Sequence, residues 1–175
     1  LSLKSKRLTR NYRRKGDQPA TQMRAIVQRV NNATLSVNDQ VISSIGEGYL
    51  VLVGYKATDD EKLVARIVDR IIGMKIFRDE NGKLNRSLGD VNGEVMVVSN
   101  FTLYGNCFNN RRPDFKLAAH FDEALPMYNL TVEEFRRRLG KVATGVFGEH
   151  MHIQMSNDGP LAMIVEKENE PNCEE

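Results

Sequence analysis

Three hydroxyl side chains are the first candidates for chemistry in this 175-residue chain. Ser99, Thr102 and Thr144 could each act as a nucleophile. None of them lies in a Gly-x-Ser-x-Gly pattern or next to a histidine, so local sequence predicts no nucleophile elbow. A catalytic triad assembled from distant parts of the chain stays open. The alternative is structural, because threonine is common in strands for its β-propensity.

A pair of histidines, His150 and His152, is the second candidate. Residues two apart on a strand face the same side, so the pair could hold a metal ion. A catalytic zinc site needs a third protein ligand, and the spacing offers none. We therefore interpret the two histidines as side chains on a solvent-facing strand and predict no metal site.

Two polar segments complete the candidates. Asn157-Asp-Gly-Pro160 is typical of a turn, which explains its residues without any function. A Gly-Pro bond can be cis at low cost, although the tetrapeptide alone favours a plain turn. Arg111 and Arg112 lie with Phe108 in a polar loop over 105–114, where they could contact phosphates or remain simply solvated.

The elements that must position these residues are mostly strands. The sequence predicts strands at 24–30, 34–37, 41–45 and 49–53, a helix capped by Thr58 or Asp59, a bent strand or strand pair over 94–103, a helix at about 121–139, and strands at 150–156 and up to Val165. Asn38-Asp39 indicates a hairpin turn. The pattern is typical of an α+β fold, with a partly closed β-barrel flanked by two main helices.

Charge divides the chain into three parts. Residues 1–22 hold seven basic residues and one acid, and the remainder holds 18 Lys and Arg against 22 Asp and Glu. We predict a flexible basic extension at 1–22, a globular domain at 23–165 and an acidic tail at 166–175. The extension could bind nucleic acid, target the chain to an organelle, or be a disordered leader.

Two further absences in the sequence narrow the class of protein. Cys107 and Cys173 are far apart and fit neither a disulfide framework nor a metal site, which is typical of a reducing compartment. No apolar run approaches the roughly 18 residues of a spanning helix, so we predict no membrane association.

Five motifs follow one another along the chain: Met23-Arg-Ala-Ile-Val-Gln-Arg-Val30, Ser99-Asn-Phe-Thr-Leu103, Arg112-Pro-Asp-Phe115, Phe147-Gly-Glu-His-Met151 and Asn157-Asp-Gly-Pro160. In this order they resemble the motifs of D-aminoacyl-tRNA deacylases. The resemblance runs from Met23 to about Val165.

The resemblance implies an activity and a set of partners. The family hydrolyses the ester between a D-amino acid, or glycine mischarged on tRNA(Ala), and the terminal adenosine of tRNA. It implies a cytoplasmic homodimer of small β-barrels that needs no cofactor or metal. It also implies that the enzyme selects D-amino acids because its site sterically excludes the side chain of an L-amino acid.

The same resemblance assigns roles to residues of this chain. Catalysis would fall to the segment Ser99, Asn100, Phe101 and Thr102, with the backbone N–H groups of Phe101 and Thr102 stabilising the oxyanion. The adenosine pocket would be formed by Phe147, Gly148 and Met151. Chiral selection would fall to Gly159, Pro160, Arg29 and Asn157, with a cis Gly159–Pro160 bond reaching into the partner's pocket.

This chain also departs from the usual family pattern. Asn100 stands where the family usually has Gln, Lys116 where it has His, and Ala162 where it has Thr. These departures could alter the substrate range or weaken the activity. The alternative to an enzyme is a non-catalytic nucleic-acid-binding barrel that uses the basic extension.

Overall fold

The computed structural model describes residues 22–168 of the chain. The predicted basic extension up to residue 21, the acidic tail from residue 169 and Cys173 lie outside the described residues. Predictions made for those segments stay predictions.

The described residues form eight strands and two α-helices. In chain order these are β1 (Gln22–Val37), β2 (Gln40–Ile45), β3 (Gly48–Gly54), α1 (Glu61–Gly73), β4 (Phe77–Arg78), β5 (Leu84–Arg86), β6 (Glu94–Ser99), α2 (Phe121–Leu139), β7 (Ala143–Thr144) and β8 (His152–Glu168). β4 and β5 form a separate small hairpin.

Six strands form one sheet that curves into a nearly closed barrel. β1 pairs antiparallel with β8 along one edge and with β2 and β3 along the other. β6 pairs parallel with β3, and β7 pairs parallel with β6. The Ser43 hydroxyl on β2 donates to the Thr144 carbonyl on β7 at 2.7 Å, which brings the two ends together. The predicted α+β fold with a partly closed barrel is confirmed.

The parallel pair β3–β6 is buried on both of its faces. Alternate residues pack in a core cluster shared with apolar residues of α1 and α2 (Tyr49, Val51, Val53, Val95 and Val97). Leu50, Met96 and Val98 point the other way, into the barrel interior. Burial on both faces explains why the two strands are almost continuously apolar.

The face of β1 that is buried changes part of the way along the strand. Ala25 and Val27 belong to the core next to the helices, whereas Val30 and Leu35 belong to the barrel interior. The register with β8 shifts on both sides of Val30. Because side chains alternate along a strand, such an irregularity is what moves the apolar set to the other face.

The turns and helices follow local sequence signals closely, with one correction. Asn38 and Asp39 have φ of 49° and 62°, as a two-residue hairpin turn requires. α2 covers 121–139, as predicted. The cap of α1 is Asp60 rather than Thr58 or Asp59, because the Asp60 carboxylate accepts from the Leu63 N–H at 2.9 Å. Within residues 22–168, neither helix has the length and apolarity to cross a bilayer.

Two predicted elements are wrong in their conformation. The strand predicted over 94–103 ends at Ser99 and continues as a 3-10 helix, Phe101–Tyr104. The segment predicted as a turn, Asn157–Pro160, is a bulge inside β8, since Val30 pairs with Asn157 and Gln28 with Ala162. Proline has no N–H to donate to the ladder, so the bulge is a place where it is tolerated.

The larger core offers a test of the fold. Phe135 is fully buried there. Phe135→Ala should lower the free energy of unfolding by about 3–5 kcal/mol, because it removes a whole ring and leaves a cavity. Urea denaturation followed by circular dichroism measures the change. Leu139→Ala, one turn further along α2 and only partly buried, is the matched control and should cost clearly less. Equal losses would contradict this placement of the core.

Candidate active site

A large pocket lies where the parallel strands β3 and β6 end. Its volume is about 1000 Å³. Gly54 and Ser99, the last residues of the two strands, both line it. The carboxyl ends of parallel strands are a common place for a ligand, because the chain turns away there and leaves a crevice.

The segment Ser99–Thr102 forms one wall of the pocket and is held by its own hydrogen bonds. The Asn100 N–H donates to the Val53 carbonyl at 2.7 Å, which extends the contact between β6 and β3 by one residue. The Asn100 side-chain oxygen accepts from the Thr102 N–H at 3.2 Å and from the Thr102 hydroxyl. Asn100 therefore caps the 3-10 helix.

This cap changes which groups can act on a substrate. The Thr102 N–H, predicted as an oxyanion donor, is already bonded to Asn100. Among the described residues no acceptor is found for the N–H of Phe101, a residue of the pocket lining, so this donor is left without a protein partner. The Thr102 hydroxyl donates to an amide oxygen, which is not a base strong enough to activate it as a nucleophile.

Arg24 fixes the other end of the 3-10 helix. Its guanidinium donates to the Leu103 carbonyl at 2.8 Å and pairs with Glu166 at 2.7 Å. It also lies over the Tyr104 ring, 5.0 Å from the centroid. On the inner side, a Cβ at Gly54 would meet the Asn100 carbonyl at 3.0 Å and Leu103 at 3.2 Å. Contacts with Arg24 and with Gly54 of β3 therefore hold this wall of the pocket in place.

Two aromatic pairs line the pocket. Phe101 and Phe115 meet edge to face at 5.1 Å, and Phe121 and Phe147 meet in the same way at 4.9 Å. Phe147 also packs against Tyr128 at 5.5 Å. Burial raises the pKa of Tyr128 to about 12, so it stays neutral and donates to the Val97 carbonyl at 2.9 Å.

The predicted adenosine-pocket residues lie on the wall formed by the second pair. Phe147, Gly148 and Met151 all line the pocket that contains Ser99–Thr102. Gly148 has φ of 82°, and a Cβ there would lie 2.9 Å from the Phe121 ring. Glycine is therefore required both by the backbone conformation and by the close ring.

The titratable side chains of the pocket are few. They are Tyr55, Lys116, His120, Glu149 and His150. Burial raises the pKa of Tyr55, whose hydroxyl is bonded to Thr131 at 2.8 Å, so it remains a neutral wall. The rings of His150 and His152 meet edge to face at 5.0 Å. Across residues 22–168 no group of three or more His, Cys, Asp or Glu side chains is arranged to hold a metal ion.

Several pocket residues were not predicted from the sequence. Phe115, Lys116, His120, Phe121, Glu149 and His150 reach the pocket from the loop before α2 and from the segment before β8. Their sequence signal is weak, since only the fold brings the two segments together.

The second group of predicted residues lies apart from this pocket. Gly159, Pro160, Arg29 and Asn157 are absent from its lining. The Gly159–Pro160 bond is cis, as the resemblance implies, and both residues are exposed. The plain turn favoured by the tetrapeptide alone is wrong.

The exposed motif is supported from beneath. Arg29 is only 3% exposed, and its Nε lies 2.9 Å from the Asp158 carboxylate. Arg29 also donates to the Ile76 carbonyl. The Asn157 side-chain oxygen accepts from the Leu161 N–H at 3.0 Å, which closes the bulge around the motif. The structure thus presents Gly159–Pro160 outward, on a base held by charge and hydrogen bonds.

The sequence is similar to a well-defined set of proteins. A family profile described as D-Tyr-tRNA(Tyr) deacylase matches residues 26–166. A D-aminoacyl-tRNA deacylase of Thermoanaerobacter pseudethanolicus is 44% identical over 144 residues, which cover 82% of this chain and 97% of that protein. One of Thermus aquaticus is 43% identical over 149 residues, with coverages of 85% and 98%.

Solved structures agree with the fold. A protein named c-Myc DNA Unwinding Element Binding Protein superposes with a TM-score of 0.78 at 35% identity, over 83% of this chain and 99% of its own. A probable eukaryotic D-amino acid tRNA deacylase superposes with a TM-score of 0.75, over 83% of this chain and 100% of its own. Its identity of 16% supports the fold alone.

The Arg24 contacts predict how firmly the pocket wall is held. Arg24→Ala should loosen the 3-10 helix, because it removes a charged donor from the Leu103 carbonyl. We expect the Gly105 N–H, which donates to the Thr102 carbonyl at 2.9 Å, to exchange with solvent about tenfold faster. Hydrogen exchange followed by NMR measures this. Arg66→Ala on the exposed side of α1 is the control, and an unchanged Gly105 rate in Arg24→Ala would contradict the bracing.

Proposed function

Because the chain belongs to the D-Tyr-tRNA(Tyr) deacylase family, we propose that this hydrolase cleaves the ester between a D-amino acid and the terminal adenosine of tRNA. The products are the free amino acid and the tRNA, so the reaction removes wrongly charged tRNA before translation. We propose the same reaction for glycine mischarged on tRNA(Ala). The observation that carries the proposal is the single pocket that joins Ser99–Thr102 to Phe147, Gly148 and Met151.

The pocket suits hydrolysis without a covalent intermediate. An aminoacyl ester is already activated, so water needs only to be oriented while the negative charge on the carbonyl oxygen is stabilised. The Phe101 N–H supplies such a donor, and one donor of this kind is typically worth roughly 3 kcal/mol in the transition state. Asn100 and Thr102 hold the 3-10 helix that aims it, and Ser99 ends the strand from which the helix begins.

The rest of the pocket suits the nucleoside. Phe147 offers a ring, Gly148 lets the backbone approach closely, and Met151 is partly buried beside them. An adenine base packs well against such an aromatic and sulfur-containing wall. The neutral Tyr55 places no charge there.

Discrimination between D- and L-amino acids would come from exclusion. We propose that the carbonyl groups of Gly159 and Pro160 from a second copy of the chain occupy the space that an L side chain needs. Glycine has no side chain and would pass. Steric exclusion can separate substrates that attractive contacts would not. Arg29 and Asn157 would hold the motif in position through Asp158 and Leu161.

A homodimer follows from this assignment. Gly159 and Pro160 are exposed and do not line the pocket of their own chain. They lie on β8, which among the described strands pairs only with β1, so its other edge is open. β8 also exposes large apolar side chains, 39% of Met155, 41% of Met163 and 66% of Ile164. An open edge with apolar side chains is suited to a partner surface.

Two further assignments complete the proposal. The domain that performs it is residues 23–165, and its place is the cytoplasm, where aminoacyl-tRNA is used. Organelle targeting or nucleic-acid binding by the extension is a separate question, since residues 1–21 lie outside the described residues. A second candidate function is nucleic-acid binding without catalysis, which is favoured by the structural similarity to the protein named for a DNA unwinding element.

One assay decides between the two functions. The full chain should deacylate D-Tyr-tRNA roughly 100-fold faster than L-Tyr-tRNA, because only the L side chain is excluded. Glycyl-tRNA(Ala) should also be deacylated. Release of radiolabelled amino acid measures each rate. Thr102→Trp, which fills the pocket from an exposed position, is the control and should abolish all three activities. Equal rates on the D- and L-substrates, or no activity, would overturn the enzymatic proposal.

A mixing experiment tests whether the motif serves the partner's pocket. Gly159→Ala should disturb the motif, because Gly159 has φ of 129° and a Cβ there would lie 2.9 Å from the Leu161 nitrogen. We expect its homodimer to lose D-over-L selectivity. After subunit exchange with Thr102→Trp, the open pocket of the Gly159→Ala chain faces an intact motif, so the ratio of D to L rates should rise.

The alternatives in that experiment are distinct. A ratio that stays unchanged on mixing would mean that each motif serves its own pocket or none. Gly73→Ala is the matched control for the substitution, because a Cβ at Gly73 has no atom within 4 Å. It should keep the wild-type ratio.

A further inference from the structure

We propose that the 106–114 loop (Asn106 to Asp114) is a docking surface for the single-stranded 3′ end of the tRNA, just outside the pocket. The inference rests on the proposed function and adds to it. It assigns a partner segment to a loop that takes no part in the chemistry described above.

The first argument is position. The ends of the loop are joined by two backbone hydrogen bonds between Asn106 and Asp114, at 2.8 and 3.0 Å. Directly before it, the Gly105 N–H donates to the Thr102 carbonyl at 2.9 Å, and directly after it, Phe115 packs on Phe101. Both ends of the loop therefore stand on the pocket wall, and a strand leaving the pocket on that side must pass it.

The second argument is charge. Residues 22–168 hold 18 Lys and Arg against 19 Asp and Glu, so the described part of the chain is close to neutral. The loop and Lys116 carry three cations and one acid, Asp114. Arg111 and Arg112 are exposed, and neither makes an ion pair with any residue of 22–168. Both guanidinium groups are therefore available to phosphates.

The third argument is an exposed aromatic ring. Phe108 is 96% exposed, the highest value among the exposed large apolar side chains of the described residues. Its N–H donates to the Asn106 side chain at 3.0 Å, so its backbone is held although its ring is free. Single-stranded nucleic acid is bound by this combination of stacking rings and cations.

The charges around the pocket favour one path for the single-stranded 3′ end of the tRNA. Glu149 lines the wall formed by the segment before β8, and Lys116 lines the wall next to the loop. A phosphate that leaves the pocket is repelled on the first side and attracted on the second. Arg112 is three residues from Phe115 and hence within about 11 Å of the pocket wall along the chain. The loop thus lies within reach of the phosphates next to the terminal adenosine.

The test compares two substrates that have the same ester, of which only one carries the single-stranded 3′ end of the tRNA. For D-Tyr-tRNA, Arg111→Ala/Arg112→Ala should raise KM by roughly tenfold or more at low salt. It should also reduce the slope of log kcat/KM against log salt by about 1.4, the value for two single-strand phosphate contacts. For the minimal substrate 3′-O-D-tyrosyl-adenosine, KM and kcat should stay at wild-type values.

Matched variants control for net charge and for stacking. Lys62→Ala/Arg66→Ala removes the same charge from the exposed side of α1 and should leave KM for D-Tyr-tRNA unchanged. Phe108→Ala should raise that KM about 5- to 150-fold, while Phe108→Tyr keeps a stacking ring and should restore it.

Each other outcome overturns the proposal in a recognisable way. An unchanged KM and salt slope for the loop variant would show that the tRNA does not contact the loop. An equal loss in the α1 control would show only a net-charge effect, and an equal loss on 3′-O-D-tyrosyl-adenosine would show that the loop acts on the pocket.

Failure of the proposed function can be told apart from failure of the docking surface. A wild-type protein that hydrolyses neither substrate contradicts the function. The surface is then measured directly, by fluorescence anisotropy with a short single-stranded RNA that ends in adenosine. Weaker binding by Arg111→Ala/Arg112→Ala than by Lys62→Ala/Arg66→Ala would support the surface, and equal binding would overturn it.

Discussion

The parallel pairing of β3 with β6, buried on both faces, is the constraint on which the site depends. One face packs on the helices and the other fills the barrel. A slip by one residue would exchange the two faces and misplace every apolar side chain at once. The ends of the two strands, Gly54 and Ser99, are therefore fixed in position, and they form one edge of the pocket.

The pocket wall is made of backbone held in place rather than of reactive side chains. Asn100 and Arg24 use their polar groups to fix the two ends of the 3-10 helix, and the Thr102 hydroxyl serves the same cap. Outside the lining of this pocket, Arg29 and Asn157 hold another piece of backbone, the exposed Gly159–Pro160 motif. Both arrangements suit the reaction proposed above, in which an activated ester needs orientation and steric exclusion more than a nucleophile.

The sequence was sufficient to predict secondary structure where local sequence signals and burial agree. The Asn38-Asp39 hairpin, the apolar strand β3 and the bounds of α2 were predicted because turn chemistry and apolar spacing act over a few residues. The pocket residues in Ser99–Thr102 and at Phe147, Gly148 and Met151 came from motifs.

Other parts depend on contacts that a linear pattern does not contain. The 3-10 helix after Ser99 looks like a continued strand until the Asn100 side chain is seen to bond Thr102. The bulge at Asn157–Pro160 looks like a turn because only its pairing with β1 shows that the strand continues. Lys116 and Glu149 line the same pocket although they are far apart in the sequence, and only the folded barrel brings their two segments to it.

The arrangement of β1 and β8 also has a consequence for synthesis of the chain. β1 ends at Val37, yet its partner along one whole edge begins only at His152. Until synthesis reaches His152, this edge of β1 in the nascent chain has no partner strand. The edge must therefore be protected from pairing with other chains, by chaperones or by neighbouring parts of the same chain, until β8 has been synthesised.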